Sequence, residues 1–423
     1  MAKSAPLPGT SDIFPGEVGA WRFLEETARG VFNCYNYGEL RTPIFEATEV
    51  FQRGLGDETE VVQKEMYTFE DRGGRSVTLR PEGTAGVMRA LLNTDVLNGV
   101  EQRVFYIGPM FRGERPAAGR RRQFHQIGAE NVGRIAPELD AEAIAMLLGL
   151  LEKLGISGST LKLNTRGVAA DRPAAAAALK EYFSKHIDIL CEDCRKRLQG
   201  NVWRILDCKV ESCREIIANV PDYAGMFSAE SREYFQKVCR HLDWLGIKYE
   251  IDPFLVRGLD YYVHTVFEIT HPGLGAQNAI AGGGRYELLL PGESKPVIGV
   301  GFAAGMERLL MVREALNLPA NGDMEENRCV FVAALGEAAE EFKVKFTAEL
   351  RNQGIAAAAE IAGKSLKAQM RAANRVNAAC AVIVGEEELA GNTAVLRDLT
   401  GGEQKQVALN ELIGEIKKLI NKQ

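Results

Sequence analysis

FRGERPAAGRRRQFHQIGAE, residues 111–130, contains an arginine-rich loop and the stretch with strand character that follows it. We predict strands over residues 102–107 and 122–127, on the two sides of the loop, and another over residues 75–79. Few full-length helices separate these strands, so they predict an antiparallel sheet in an α+β fold rather than a series of parallel units.

The loop combines arginines with a carboxylate. Arg112 and Glu114 follow the first strand, and three further arginines, residues 120–122, lead into the second. A guanidinium at a strand end can clamp a phosphate with its planar fork, and a nearby glutamate can accept a hydrogen bond from an amino group. Taken alone, an ordinary solvated hairpin explains these charges better.

Helices and glycine-rich segments surround this hairpin. Ser11 and Asp12 precede a pattern with apolar residues at helical spacing between Val18 and Phe32, which predicts a helix there. Residues 140–154 predict a helix that Gly155 ends. AGGGRY (residues 281–286) is a tight glycine stretch.

The chain is long enough for two or three domains, at 423 residues. We predict a domain over residues 1–325, with an insertion at about 170–240, and a smaller α/β domain over residues 328–423, after a polar linker. The smaller domain shows strand, helix, helix, strand and helix patterns, over residues 329–335, 338–353, 364–377, 380–385 and 409–420.

Composition favours a cytoplasmic enzyme without a membrane span. The chain is 46% hydrophobic and 26% charged, and no apolar run approaches the roughly 20 residues that a membrane helix needs. Its first residues lack the apolar stretch of a secretory signal. The net charge of −6 argues only weakly against RNA binding, because RNA responds to local basic patches.

Polar side chains recur in apolar surroundings, where carboxylates and amides suit an ammonium or imidazole ligand. A satisfied structural hydrogen-bond network is the alternative for each of them. The sequence contains neither a P-loop nor a dinucleotide fingerprint. The residues are Glu82, Gln126, Glu130, Arg257, Asp260, Tyr261 and Tyr262.

Several motifs, in order, resemble those of class II aminoacyl-tRNA synthetases, and specifically the histidyl-tRNA synthetase family. YGELRTP (residues 37–43) resembles motif 1, residues 111–130 resemble motif 2 and GVGFAAGMERLL (residues 299–310) resembles motif 3. Stretches similar to ones specific to the histidine enzymes are KEMYTFEDRGGRSVTLRPEGTAG (64–86), LVRGLDYY (255–262), AGGGRY (281–286) and, in the anticodon-binding domain, KSLKAQM (364–370).

The resemblance implies an ATP site, with Mg²⁺ accompanying the nucleotide. Arg112 is expected at the α-phosphate, Glu114 at the adenine amino group, Phe124 stacked on the adenine ring and Arg308 at the γ-phosphate. Arg257 is expected beside the reacting α-phosphate and carboxylate. Arg257 and Arg112 are therefore the implied catalytic residues.

The resemblance also implies a site for L-histidine. Its ammonium group is expected to meet Glu82, Thr84 and Gln126. Its imidazole is expected to meet Glu130 and Tyr262, helped by Tyr261. Further implied partners are histidine tRNA and a second copy of the chain, with Pro43 at the interface of a homodimer. The histidine-binding set is Glu82, Gly83, Thr84, Gln126, Glu130, Tyr261 and Tyr262.

Two features depart from the family pattern or add to it. Ala117 stands where many bacterial members have a glutamine that reads the tRNA acceptor end, which leaves that contact open. Cysteines 191, 194, 208 and 213 have a spacing that resembles a four-thiolate zinc site. Because the second pair is wider than usual, we favour reduced thiols and keep zinc as the alternative. We assign no metal site.

Two other functions share this fold. The regulatory subunit of ATP phosphoribosyltransferase senses histidine without catalysis, but it usually lacks the C-terminal domain and parts of motifs 2 and 3. A purely RNA-binding descendant is the other alternative. The presence of Arg112, Arg257 and Arg308 together favours the enzyme, which joins histidine to ATP and then to tRNA.

Overall fold

The computed structural model describes residues 5–56, 59, 61–117, 119–256, 261–275, 277–320 and 328–420. Two compact units divide the chain, Met1–Asp323 and Met324–Gln423. No helix in the described ranges is both long and apolar enough to cross a membrane.

The larger unit alternates short helices with strands. Its helices are α1 Pro15–Cys34, α2 Thr48–Leu55, α3 Thr84–Leu91, α4 Pro137–Lys153, α5 Arg172–Ser184, α6 Glu192–Gln199, α7 Glu211–Ile217, α8 Ala229–Trp244 and α9 Met306–Ala315. Its strands are β1 Gly38–Glu39, β2 Phe45–Ala47, β3 Tyr67–Glu70, β4 Ser76–Leu79, β5 Gln102–Phe111, β6 Gln123–Val132, β7 Thr160–Thr165, β8 Glu250–Ile251, β9 Tyr262–Thr270, β10 Ala279–Leu288 and β11 Val297–Gly305.

A large sheet forms the centre of this unit, with strand order β1-β5-β6-β11-β10-β9-β7-β8. The six strands from β5 to β7 in this order are antiparallel, and β1 and β8 pair in parallel at its two edges. The predicted antiparallel sheet and α+β class are confirmed. The hairpin strands β5 and β6 extend beyond the predicted ranges, to ten residues each.

Alternating residues of the strands pack on the two faces of the sheet. Phe105, with Phe302 beside it, belongs to one buried cluster, which also contains apolar residues of α1, α4 and α8. Tyr106 belongs to the cluster on the opposite face, together with α2, α3 and Tyr286. The polar cavity described below lies on this second face.

The helix predicted near the beginning of the chain is confirmed as α1. It begins at Pro15, because proline suits the first helical position and the Glu17 carboxylate accepts the Phe14 N–H at 3.0 Å. The glycine stretch AGGGRY lies inside strand β10. A Cβ at Gly283 would meet the carbonyl oxygen of Gly301 on β11 at 2.1 Å, so glycine is needed for the close strand approach.

A helical insertion lies between β7 and β8. Helices α5 to α8 and a 3₁₀ turn, Val202–Asp207, follow β7 directly. Most of this segment has its own buried cluster, which includes Leu179, Phe183, Trp203 and Ile205. The insertion therefore folds around a local core rather than as a loop on the sheet.

The smaller unit is an α/β domain with a five-stranded mixed sheet among its described residues. The predicted strand, helix, helix, strand and helix are confirmed, while β13, α12, β15 and β16 were not predicted. Its elements are β12 Val330–Ala334, α10 Glu337–Asn352, β13 Ala357–Ala359, α11 Leu366–Arg375, β14 Cys380–Val384, α12 Glu386–Ala390, β15 Thr393–Asp398, β16 Gln404–Ala408 and α13 Leu412–Ile420.

Candidate active site

A polar cavity opens on one face of the large sheet, between the β4–α3 turn and the strands β6, β10 and β11. It brings together every residue of the predicted histidine-binding set except Gly83, which lies beside it, and adds Arg112. The lining residues are Glu82, Thr84, Tyr106, Arg112, Gln126, Glu130, Tyr261, Tyr262, Gly282, Tyr286, Gly301, Phe302 and Ala303.

Glu130 is the buried carboxyl group at the base of the cavity, 1% exposed. The Thr84 hydroxyl donates to its Oε1 at 2.7 Å, and the Tyr286 hydroxyl donates to its Oε2 at 2.8 Å. Burial raises the pKa of Glu130 to about 8, although both hydroxyl bonds favour the ionised form. A ligand that donates an N–H to this group therefore finds an acceptor whose protonation changes near neutral pH.

Glu82 is held at the beginning of α3. Its two carboxylate oxygens accept the backbone N–H groups of Thr84 and Ala85, each at 2.7 Å. Burial raises the pKa of Glu82, against the lowering effect of these bonds and of the Arg112 guanidinium. The bonds fix the carboxylate in one orientation, beside the opening towards Arg112.

Gln126 offers an acceptor to a ligand. Its Oε1 atom is buried and has no hydrogen-bond partner within the described residues. An unpaired buried carbonyl is unfavourable, by about 1–3 kcal/mol, so a ligand donor would remove that cost. Tyr261 and Tyr262 form the aromatic wall nearby, with ring centroids 4.7 Å apart.

Glycines make room for the large side chains of the cavity. Gly301 on β11 pairs with Glu130 on β6, and a Cβ there would lie 1.7 Å from Glu130 Oε2. A Cβ on Gly83 or on Gly128 would lie 2.3 Å from the ring of Tyr106. The backbone angles at these positions would allow other residues, but the space beside them would not. These clashes therefore explain the glycines.

The motif 2 loop brings the predicted ATP-binding residues together at the cavity mouth. Arg112 donates to the Pro81 carbonyl at 2.9 Å, and its guanidinium carbon lies 5.2 Å from the centroid of the Phe124 ring. Glu114 Oε1 lies 3.9 Å from the Arg112 guanidinium. Arg308, from the first turn of α9, reaches the loop by donating to the Gly119 carbonyl at 3.0 Å.

Comparison with known proteins identifies the family of the chain. A family model described as histidyl-tRNA synthetase matches residues 9–309, and one described as an anticodon binding domain matches residues 329–419. The chain belongs to the histidyl-tRNA synthetase family. Its fold is that of a class II synthetase with a C-terminal anticodon-binding domain.

Relatives within the histidyl-tRNA synthetase family match nearly the whole chain. A histidine–tRNA ligase of Halothermothrix orenii is 47% identical over 416 residues, covering 97% of this chain and 98% of the relative. One of Desulforamulus reducens is 45% identical over 414 residues, covering 97% and 98%. The crystal structure of the apo histidyl-tRNA synthetase of S. aureus has a TM-score of 0.80 at 36% identity, covering 97% and 99%.

Fold alone does not separate the synthetases from the regulatory alternative. A Bacillus halodurans structure, titled an ATP phosphoribosyltransferase regulatory subunit/histidyl-tRNA synthetase, has a TM-score of 0.64 at 17% identity, covering 91% of this chain and 98% of that one. At that identity the likeness concerns the fold only. The ligases share far more of the sequence, so the regulatory alternative is not favoured.

Some residues of this synthetase-family site were missed in the sequence. Tyr106 and Tyr286 both line the cavity. Tyr286 is the last residue of AGGGRY, so that motif could have indicated it. Arg285 points to the other face, fully buried, where its Nε donates to Asp140 Oδ1 at 2.8 Å. This pair ties β10 to α4 and so supports the strand that carries Tyr286.

Two predicted residues of the family signature cannot be placed. Arg257, the implied catalytic cation, and Asp260 both lie outside the described residues. Val256 and Tyr261 are the described residues that flank them in the sequence. Tyr261 lines the cavity.

Proposed function

We propose that this chain, a histidine–tRNA ligase of the class II aminoacyl-tRNA synthetases, forms histidyl-adenylate in the cavity on the sheet and then transfers histidine to the 3′ end of its tRNA. The observation that carries the proposal is the pair of buried carboxyl groups, Glu82 and Glu130, beside an unpaired Gln126 oxygen and the Arg112 guanidinium. Acceptors for a small cationic amino acid thus lie next to a cation suited to phosphate.

ATP binds at the mouth of the cavity in this proposal. Arg112 holds the α-phosphate, Glu114 accepts the adenine amino group, Phe124 stacks on the adenine ring and Arg308 holds the γ-phosphate. In support, three of these residues lie close together: the Arg112 guanidinium carbon is 5.2 Å from the Phe124 ring centroid, and Glu114 lies 3.9 Å from the Arg112 guanidinium. Glu114 also lies 3.3 Å from the guanidinium of Arg120. ATP enters as its Mg²⁺ complex, so the metal arrives with the substrate.

L-Histidine binds deeper in the cavity. Its ammonium group donates to Glu82, to the Thr84 hydroxyl and to the free Gln126 oxygen, and Gly83 keeps the turn open beneath it. Its imidazole meets Glu130 and Tyr262, with Tyr261 packed against the latter ring. A substrate without ring nitrogens would leave these buried polar groups unpaired, and selectivity follows from that cost.

The reaction then requires positioning rather than a protein nucleophile. A histidine carboxylate oxygen attacks the α-phosphorus, the bond to pyrophosphate breaks, and negative charge builds on the phosphoryl oxygens. Fixed guanidiniums from Arg112 and Arg257 stabilise that charge. In the second step a terminal ribose hydroxyl of the tRNA attacks the histidyl carbonyl, and AMP leaves.

The remaining parts of the proposal concern organisation. Residues 1–325, including the insertion at about 170–240, form the catalytic domain, and residues 328–423 contact the tRNA anticodon. Basic residues Lys364, Lys367, Arg371 and Arg375 recur at helical spacing in and just before α11, where they could meet phosphates. The enzyme works as a cytoplasmic homodimer with Pro43 at its interface.

Pyrophosphate exchange tests the proposal directly. The wild-type chain should exchange labelled pyrophosphate into ATP only when histidine and ATP are both present. Arg112→Ala should reduce the rate at least a hundredfold, the loss typical when one preorganised charge-stabilising donor is removed. Arg115→Ala, an exposed arginine of the same loop, is the matched control and should retain the rate. Histidine binding without any exchange would instead indicate the regulatory function.

A further inference from the structure

The four cysteines with zinc-like spacing come together in the helical insertion. Their sulfur atoms all lie within 4.8 Å of one another. Cys191 directly precedes α6, Cys194 lies in its first turn, Cys208 follows the 3₁₀ turn and Cys213 lies in α7. Segments up to 22 residues apart thus converge on one point, which the spacing alone could not show.

The separation of the sulfurs fits a tetrahedral metal ion. Zn²⁺ binds thiolates at about 2.3 Å, and a tetrahedron of that radius has sulfur–sulfur edges of about 3.8 Å. The Cys191 and Cys208 sulfurs lie 3.8 Å apart, and all four are free thiols in the structure. Small inward movements of the other side chains would complete the tetrahedron.

The surroundings resemble those of a closed structural site. Cys194, Cys208 and Cys213 belong to the buried core of the insertion, and Cys191 is half-buried. The Cys191 backbone N–H donates to the Cys213 sulfur at 3.2 Å, a contact that orients a thiolate ligand. Four protein ligands leave no open position for a substrate, so the site serves structure rather than catalysis.

We propose that Cys191, Cys194, Cys208 and Cys213 bind one Zn²⁺ ion, which cross-links the insertion. On binding, the four thiols release four protons to solvent and no electron is transferred. The wide second pair, which favoured reduced thiols in the sequence, is explained because Cys213 enters from the first turn of α7.

The ion would also support the active site at a distance. The core of the insertion packs against Phe254 and Val256, just before the segment that contains Arg257. At the other end of that segment, Arg172 of α5 donates to the Tyr262 carbonyl. A loosened insertion would therefore weaken the contacts of Phe254, Val256 and Tyr262, the last of which lines the cavity.

Elemental analysis of the intact chain, expressed without a polyhistidine tag, tests the proposal. We expect one zinc ion per wild-type chain and loss of that zinc in Cys191→Ser. Cys239→Ser is the matched control, since Cys239 is equally half-buried but lies outside the cluster, and it should keep its zinc. Reconstitution of the metal-free chain with Co²⁺ should give the intense visible bands of tetrahedral thiolate coordination in wild type and Cys239→Ser only.

Thermal unfolding separates a metal ligand from an ordinary cysteine. Cys191 is the N-cap of α6 and makes no side-chain capping bond, while serine is among the favoured N-cap residues. Without a metal, Cys191→Ser should therefore melt at the same temperature as wild type or higher. If Cys191 is a zinc ligand, the variant should melt at a lower temperature than wild type. A chelator should then lower the melting temperature of wild type but not that of the variant.

Two results would overturn the proposal. One is zinc content in wild type no higher than in Cys191→Ser. The other is a titration of the denatured, chelated, unreduced chain that finds only four of its eight cysteines as free thiols, which would indicate paired disulfides at the cluster. Finding all eight thiols together with one zinc ion supports the site.

Discussion

Replacing Glu130 by glutamine should make the stability of the catalytic unit depend less on pH. The same change should remove much of its affinity for histidine. In the folded chain the pKa of Glu130 is about 8 because of burial, against 4.5 for an ordinary glutamate. Between these values the folded state holds a proton that the unfolded state has released. Stability must therefore fall as pH rises through this window.

The size of the effect follows from the pKa. A difference of one unit corresponds to about 1.4 kcal/mol, and the folded group changes from almost fully protonated at pH 6 to half ionised at pH 8. Wild type should lose about 2 kcal/mol from this group over that interval. The amide is neutral at both pH values. It also resembles the protonated acid, because its oxygen can accept from Thr84 while its NH₂ group donates to Tyr286.

The assay is thermal unfolding of wild type and Glu130→Gln at one protein concentration, at pH 6 and pH 8. Taking the difference between the two proteins removes the contribution of other titrating groups. At roughly 2–4 °C per kcal/mol for a large domain, the pH shift of the melting temperature should be several degrees larger in wild type. Equal shifts in the two proteins would refute the assignment of the raised pKa to Glu130.

Histidine affinity provides the second half of the same experiment. Above pH 8, where Glu130 is mostly ionised, the loss of a hydrogen bond to a charged group is worth roughly 1.5–3 kcal/mol, so the dissociation constant for histidine should rise about 10- to 150-fold. The affinity for ATP should change much less. A variant that binds histidine as tightly as wild type would show that the carboxyl group does not contact the substrate.

Three further predictions address other parts of the chain. Gly301→Ala should unfold at lower temperature and lose histidine binding, because the new methyl group would lie 1.7 Å from Glu130 Oε2. Calorimetry and a binding titration test this, and unchanged stability and affinity would mean that the strand can shift to accept the methyl group. Arg257→Ala should nearly abolish pyrophosphate exchange while the circular dichroism stays unchanged, and exchange within a few-fold of wild type would contradict its role. Removal of residues 328–423 should leave exchange measurable but end discrimination between wild-type and anticodon-substituted tRNA in aminoacylation assays; continued discrimination would exclude this domain as the anticodon reader.

The sequence predicted local patterns well and long-range approach poorly. The β5–β6 hairpin was predictable because both strands flank one short loop. The strand at AGGGRY was not, because the glycines suggest a turn until the neighbouring backbone of β11 is known to approach them. The cysteine cluster was equally hidden, since convergence of three short segments is a tertiary property.

The same limit explains which candidate-site residues could be predicted. Glu82, Gln126 and Glu130 were found as polar residues in apolar surroundings, and the roles of Arg112 and Arg308 came from the family resemblance. The partner hydroxyl of Tyr286 was missed, although it determines where one Glu130 oxygen points. Residue type indicates that a buried polar group needs partners, but only the fold shows which partners are near.

Burial of the carboxyl groups links specificity to the glycine-rich strands of this fold. Glu130 can occupy the base of the cavity only because Gly301, directly opposite on β11, presents no side chain. The same enclosure removes water, raises the pKa of Glu130 and makes each unpaired polar group unfavourable. A ligand that satisfies these groups gains that free energy, and one that merely fills the space does not. In the proposed site, selectivity for a cationic, nitrogen-bearing amino acid therefore depends on the missing side chain of Gly301 as well as on the polar groups of the cavity.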